Sequence, residues 1–261
     1  MDASLTPAAL RQSLSSNQPP LVIDVRKQTA FLGAPDMIRG ALRRDPLRVA
    51  DWGATLPQSA GVVVYCVHGH EVSQGAAQAL RAAGLRASYL DGGIEHWDGE
   101  RERKPTGAST RWVTRERPKI DRIACPWLVK RFVDPEAEFL YVPAADVRRI
   151  AAERDAEPYD ISDVRFSHDG ERCSFDAFLK AYRLTDPALD ELAVIVRGAD
   201  TGRLELAPQA AGLAAISLGL SRLYKDDHQM LEHGMVMYDA LYAWCKEGKD
   251  EVHTWNPALY R

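Results

Sequence analysis

The sequence predicts an α/β domain, a parallel sheet with flanking helices, followed by a second domain that is mostly α-helical. Three observations carry this reading. Leu21-Val22-Ile23-Asp24-Val25 and Gly61-Val62-Val63-Val64-Tyr65 are short, branched, nearly continuous apolar runs, the pattern of strands buried on both faces of a parallel sheet. Residues 73–83 are rich in alanine and are followed by Gly84, which reads as a helix closed by a glycine C-cap. In the second half, apolar residues recur at helical spacing over longer stretches.

In chain order, 21–25 and 61–65 are strands and 73–83 a helix. Residues 82–90, ending in Ser88-Tyr89-Leu90 before Asp91-Gly92-Gly93, supply a further strand. Strand, tight loop, helix and strand make a βαβ unit. Residues 100–122 change character. Between Arg101 and Arg122 stand eight basic and three acidic residues, a local net of +5, interspersed with Pro105, Gly107, Ser109 and Pro118. This segment reads as a linker, either a solvated connector or an anion-attracting entrance to a site. The chain therefore divides into 1–105, with its core at about 19–100, and 106–261. In the second part, 126–132, 175–184, 187–196, 208–224 and 227–246 predict helices and 138–142 an extended piece, while the tail at 252–257 has no periodicity.

The 261 residues carry 33 basic and 37 acidic side chains, a net charge of −4. With no recognition motif for nucleic acid, that balance argues against nucleic-acid binding or adhesion to an anionic membrane. No apolar run approaches the ~18–20 residues that span a bilayer, and Met1-Asp2-Ala3-Ser4 does not begin a secretory signal. Four cysteines without a C-x-x-C pair form neither a disulfide framework nor a zinc knuckle. The expectation is a cytoplasmic protein with reduced thiols.

Among these, Cys66 stands directly after the apolar run 62–65 and before Val67-His68-Gly69-His70-Glu71 and the helix. A cysteine there ends a buried strand over a helix N-terminus. Loop N–H groups and the helix dipole both favour negative charge at its sulfur, and a thiolate is the attacking form. The competing reading is an inert buried cysteine. His68 and His70 are candidate donors or proton carriers near neutral pH, or orienting loop residues.

The ordered set L-V-I-D-V-R (21–26), Phe31, Ile38-Arg39-Gly40-Ala41, V-V-V-Y-C-V-H-G (62–69) and Leu90-Asp91-Gly92-Gly93-Ile94 with Trp97 resembles the rhodanese family over residues 19–100. The resemblance implies a five-stranded parallel sheet and a Cys66 that carries a persulfide. Sulfane sulfur would pass from a donor such as thiosulfate to a thiol acceptor, with no cofactor. It also implies a substrate-binding set of Val67, His68, Gly69, His70, Glu71 and Arg26. The loop has the short length suited to sulfur; related phosphatases and arsenate reductases use one residue more, which argues against direct oxyanion reduction. Val67 and Glu71 occupy places where the family commonly carries arginine, and Asp36-Met37-Ile38 replaces its G-H-I.

The second half resembles the C-terminal domain of the chromate-resistance ChrB family over about residues 110–247. The resemblance rests on R-P-K-I-D-R-I-A-C-P-W-L-V (117–129), F-S-H-D-G (166–170), Cys173-Ser174-Phe175, I-V-R-G-A-D (195–200) and D-D-H-Q-M-L-E-H-G (226–234). It implies a role in chromate or metal stress, and in some members regulation. From the residues themselves, Asp226 or Asp227 caps a helix whose stripe is Leu231, Gly234, Tyr238, Leu241 and Cys245. His228, Glu232 and Asp239 fall along one edge of that stripe. His228 and Glu232, at i and i+4, suit one divalent metal, with His168, Asp121 or Asp200 added from elsewhere; a solvated helix edge is the plainer alternative. Met230, Met235 and Met237 read as core, as does Cys245. Cys125 and Cys173 read as small buried residues, or as resolving thiols for Cys66 or ligands if folding brings them close. The functional expectation is a sulfurtransferase joined to a domain for chromate or metal stress. Its alternative is a non-enzymatic metal or oxyanion sensor with Cys66 as a redox-responsive thiol.

Overall fold

A computed structural model describes residues 4–58, 60–105 and 109–251; Gly107 and the tail at 252–257 lie outside the described residues. The first part contains β1 (Ser4–Leu5), α1 (Pro7–Leu14), β2 (Leu21–Asp24), α2 (Gln28–Gly33), β3 (Asp36–Ile38), β4 (Leu42–Arg43), α3 (Val49–Gly53), β5 (Gly61–Tyr65), α4 (Glu71–Ala82), β6 (Arg86–Leu90) and β7 (Arg101–Arg103). The second contains β8 (Arg111–Arg115), α5 (Asp121–Leu128), β9 (Glu138–Val142), α6 (Val147–Arg154), β10 (Glu157–Pro158), α7 (Ser174–Tyr182), α8 (Pro187–Asp200), α9 (Ala210–Leu223) and α10 (Asp227–Ala243).

Five strands form one parallel sheet in the order β1-β6-β5-β2-β4. Its central strands obey the period of two. Leu21, Ile23, Val62 and Val64 enter one apolar cluster, while Val22, Val63 and Tyr65 enter the cluster on the opposite face. Both faces are therefore covered, as the continuous apolar runs of the sequence require. Asp24, fully buried, is neutralised within the same layer. Its carboxylate takes Arg26 Nη2 at 2.6 Å, Arg26 Nε at 2.9 Å, Arg26 N at 3.0 Å and the Tyr65 hydroxyl at 2.8 Å. Arg26 Nη2 also donates to Asp36 O at 3.0 Å, so this arginine is a strut across the sheet's end.

The described residues of the expected linker at 100–122 are structured. β7 pairs antiparallel with β3, and β8 is the centre of a three-stranded parallel sheet in the order β10-β8-β9. Its charged ends conceal a buried middle: Trp112, Val113 and Thr114 lie at 0–1% exposure. The second part is helix-rich as expected and β9 falls on the expected extended piece at 138–142, but β8, β10 and α6 were not anticipated. Trp112 meets Phe166 and Phe178 with ring centroids 5.1 and 5.0 Å apart.

Pro126 lies inside α5 and has no N–H for the carbonyl of Arg122. That carbonyl instead accepts from the hydroxyls of Tyr141 at 3.1 Å and Tyr159 at 3.4 Å. The loss of one helical bond thus ties α5 to β9 and β10. Cys66, the residue directly after β5, and Asp121, the first residue of α5, are both placed by strand ends and helix starts.

The two parts share apolar surface. One cluster runs from Leu21, Ile23, Val62 and Val64 to Trp112, Trp127, Phe175 and Tyr238. Buried Arg44 reaches from the first part to the carbonyls of Phe132, at 2.7 Å, and Val133 in the second. Gly40 (φ +72°) is packed so closely that a Cβ would lie 2.4 Å from Ala181 O. A side chain there would press the parts apart. Arg44→Ala should remove two charge-assisted bonds at once and lower unfolding stability by about 2–4 kcal/mol, read from urea denaturation; a loss under about 0.5 kcal/mol would show that Arg44 does not join the parts.

Candidate functional sites

Cys66 follows β5 directly and is 6% exposed. Its Sγ lies 3.2 Å from Ser73 Oγ, which is fully buried on the first turn of α4 and also within 3.3 Å of His70 O. The loop between them is held from beneath. Ile94 N donates to Cys66 O at 3.0 Å and Glu95 N to Val67 O at 3.1 Å. Gly93, at φ +60°, passes so near that a Cβ would stand 2.3 Å from Val67 O. The glycines after β6 are therefore the floor of the Cys66 loop.

These supports use the loop's carbonyls and leave its donors. Among the described residues, the N–H groups of Val67, His68, Gly69, His70 and Glu71 meet no acceptor. Five successive free amides beside a sulfur, leading into a helix N-terminus, form a seat for negative charge. His68 Nδ1 and Glu95 Oε2 pair at 2.7 Å at the exposed rim, and the His68 and His70 rings are 5.8 Å apart. Glu71 is exposed at the first turn of α4. Arg26 departs from the expected substrate-binding set: 2% exposed and forked on Asp24, it serves the sheet's end rather than an anion at the loop.

A second constellation lies in the C-terminal part. His168 Nε2 stands 3.2 Å from Asp200 Oδ2, 3.4 Å from Asp160 Oδ1 and 3.5 Å from Asp121 Oδ2. Asp121 opens α5 and Asp200 closes α8. Asp160 sits in a left-handed turn after β10 (φ +54°), and His168 lies in the loop before α7. Asp160 is well supported: Ser174 Oγ donates at 2.8 Å, Arg115 Nη2 at 2.9 Å, and Arg122 Nε lies at 3.3 Å. Asp121 is less so. Ser174 N donates to its Oδ2 at 2.6 Å, but its Oδ1 is buried without a hydrogen-bond donor.

Charge follows this geometry. Burial, then the fields of Asp200 and Asp160, pushes the Asp121 carboxyl well above the usual range. Burial and Asp160 raise Asp200 as well. Asp160 goes down despite its burial because His168, Ser174 and Arg115 hydrogen-bond its charged form. The bond to Asp160, followed by the fields of Asp121 and Asp200, lifts His168 to about 9.

The structure thus unites three of the five residues expected to ligate metal, Asp121, His168 and Asp200, and separates them from His228 and Glu232. Both of those are exposed on α10; His228 lies edge-on to Tyr141, centroids 5.6 Å apart. Spacing of i, i+4 aligns two side chains on a helix but does not choose what faces them. Asp239 is bound to Trp127 Nε1 at 2.8 Å and to Arg131. Asp160 carried no periodic or motif-level signal as a site residue, and Ser174 stood in the Cys173-Ser174-Phe175 run without one. Cys125 and Cys173 are fully buried, with thiols pushed up by burial and then by Asp121; this closes them to the role of resolving thiols. Cys245 is core as expected, its thiol raised to about 11.

The basic segment lines a cleft of about 580 Å³ with Phe31, Arg43 and Trp112, but neither Cys66 nor the Asp121 cluster borders it. Arg103 and Arg111 are bound there to Asp155 and Glu138, both at 2.8 Å. The excess charge is largely spent in pairs.

Two family models match the chain: a Rhodanese-like domain over residues 6–100, and ChrB, C-terminal domain, over residues 112–245. Protein ChrB of Cupriavidus metallidurans is 38% identical over 143 residues, which are 54% of this chain and 42% of that protein. The match thus spans less than half of that relative. Among solved structures, a rhodanese-like domain protein from Staphylococcus aureus is 25% identical with a TM-score of 0.34, covering 40% of this chain and 99% of its own. A rhodanese-related protein from Thermoplasma volcanium is 21% identical, also with a TM-score of 0.34, covering 39% and 98%.

The raised values of His168, Asp121 and Asp200 all have one sign. Each group holds its proton more tightly folded than unfolded, so its contribution to stability is complete below its unfolded pKa and is lost as pH rises through the folded one. For His168 that window runs from 6.5 to about 9. The Tm of the protein in EDTA should therefore fall between these limits, and His168→Gln should flatten the slope. An unchanged slope would show that His168 is not the group responsible.

Proposed function

Because the chain belongs to the ChrB C-terminal-domain family and carries a rhodanese-like domain ahead of it, we propose that it is a sulfurtransferase working through a Cys66 persulfide, in the service of chromate or metal-stress resistance. The observation that carries the reading is the Cys66 loop: a sulfur at a strand end beside five amides without acceptors. In the first step Cys66 thiolate attacks the sulfane sulfur of a donor. With thiosulfate, the donor's S–S bond breaks, sulfite leaves with the bonding pair, and Cys66–S–S⁻ remains. In the second step an acceptor thiolate attacks the outer sulfur, forms its own persulfide and returns Cys66 as thiolate. No electrons are gained or lost overall and no cofactor is consumed.

The loop amides suit both anionic states, since hydrogen bonds to a charged sulfur are stronger than those to a neutral one. Ser73 Oγ is positioned to donate to the sulfur once the thiol has lost its proton. The exposed His68–Glu95 pair stands at the rim, where an imidazole held by a carboxylate can take the acceptor thiol's proton. Glu71, exposed at the helix start, disfavours a doubly charged donor and favours a neutral or singly charged persulfide. The physiological donor is thus a low-molecular-weight or protein persulfide rather than thiosulfate, and the C-terminal domain supplies the link to chromate or metal stress.

Intact-mass measurement tests this reading. Incubation with an organic persulfide should add one sulfur (about 32 Da) to the chain, and Cys66→Ser should abolish the gain. Thiol should then remove it, and thiosulfate should load more slowly. If no donor adds sulfur and oxidant adds oxygen to Cys66 instead, the enzymatic reading fails in favour of a redox-responsive sensor.

A further inference from the structure

We propose that Asp121, His168 and Asp200 bind one divalent first-row transition cation, independently of the chemistry at Cys66. Each of the three offers a ligand atom, and these atoms lie within 4.8 Å of one another. The Nε2-to-carboxylate distances of 3.2 Å to Asp200 and 3.5 Å to Asp121 are edges of a coordination polyhedron. Metal–nitrogen and metal–oxygen bonds of about 2.0–2.2 Å place neighbouring ligand atoms roughly 3.0–3.5 Å apart.

A second observation points to a missing partner. Asp121 is 1% exposed, and its Oδ1 has neither solvent nor a donor. The Cys173 thiol gives the carboxyl some relief, yet among the described residues nothing reaches Oδ1 at hydrogen-bonding geometry. Buried carboxylate oxygens are normally satisfied. Furthermore, a single Nε2–H supplies one bond while three carboxylates crowd it at 3.2–3.5 Å. A cation accepts several such oxygens at once.

The surroundings sort the members. Asp160 is committed to Arg115, Arg122 and Ser174, so it positions the imidazole from outside the ligand set. Asp200 Oδ1 accepts from Asp121 N at 3.3 Å, which leaves Oδ2 for a cation. His168 is 41% exposed and Asp200 19%, so an ion can enter from solvent on that side while Asp121 forms the sealed wall. Two carboxylates and one imidazole, without thiolate, suit Mn²⁺, Fe²⁺, Co²⁺ or Zn²⁺. Three protein ligands leave at least one position open to water or an oxyanion.

The full chain, stripped with chelator and dialysed, would be titrated with Zn²⁺ by calorimetry and with Co²⁺ by its visible absorption. One equivalent should bind. His168→Gln and Asp200→Asn should each weaken binding by at least about tenfold, with far-UV and near-UV circular dichroism confirming that both remain folded. His228→Ala/Glu232→Ala should bind as wild type, and so should Cys66→Ser, which separates this result from the fate of the sulfurtransferase reading. No saturable binding of either ion, wild-type affinity in both ligand variants, or loss of binding in His228→Ala/Glu232→Ala would overturn the proposal.

Discussion

Burying a carboxylate without its countercharge costs several kcal/mol, and both halves of this protein are organised around that constraint. In the first half Asp24 is fully buried and fully answered. Arg26, Tyr65 and the chain itself supply donors to its oxygens, so β2 and β5 are locked at their carboxyl ends. In the second half Asp121 is equally buried but only half answered. The first arrangement is a finished joint. The second is an open valence, and the groups that gather around it, His168, Asp200 and the arginine-held Asp160, give it the character of a site.

The same contrast separates two kinds of chemistry in one chain. Cys66 sits where a strand ends, beside Ser73 and a loop whose backbone amides meet no acceptor among the described residues. Cys125 and Cys173 lie beside the aspartates, where burial and negative charge keep their thiols protonated. The strand-end cysteine and the carboxylate–imidazole cluster therefore lie in chemically different surroundings. The shared apolar cluster and Arg44 fix the two halves against each other. No helix among the described residues is long and apolar enough to cross a membrane.

Sequence reading reached what periodicity and local order encode. The branched runs at 21–25 and 61–65 announced β2 and β5 because buried parallel strands are apolar on both faces, and Cys66 was legible from its place between strand and helix. β8 was hidden: Arg111 and Arg115 bracket Trp112-Val113-Thr114, and charge at both ends masked a buried centre. His228 and Glu232 showed the spacing of a metal pair but face no third ligand among the described residues, because helical register fixes neighbours along a helix and not across the fold. Asp160 and His168 come from loops, where nothing repeats, and α5 and α8 deliver Asp121 and Asp200 from opposite ends. Only tertiary packing assembles those four.

On the two proposals, sulfur transfer belongs to Cys66 and cation binding to Asp121, His168 and Asp200. X-ray absorption at the zinc edge of the Zn²⁺-loaded full chain tests it most directly. The account predicts a shell of nitrogen and oxygen at about 2.0–2.2 Å, with the outer-shell signature of one imidazole and no sulfur. A zinc–sulfur distance at about 2.3 Å would contradict it, because the ion would then be held by a cysteine instead of by two carboxylates and an imidazole.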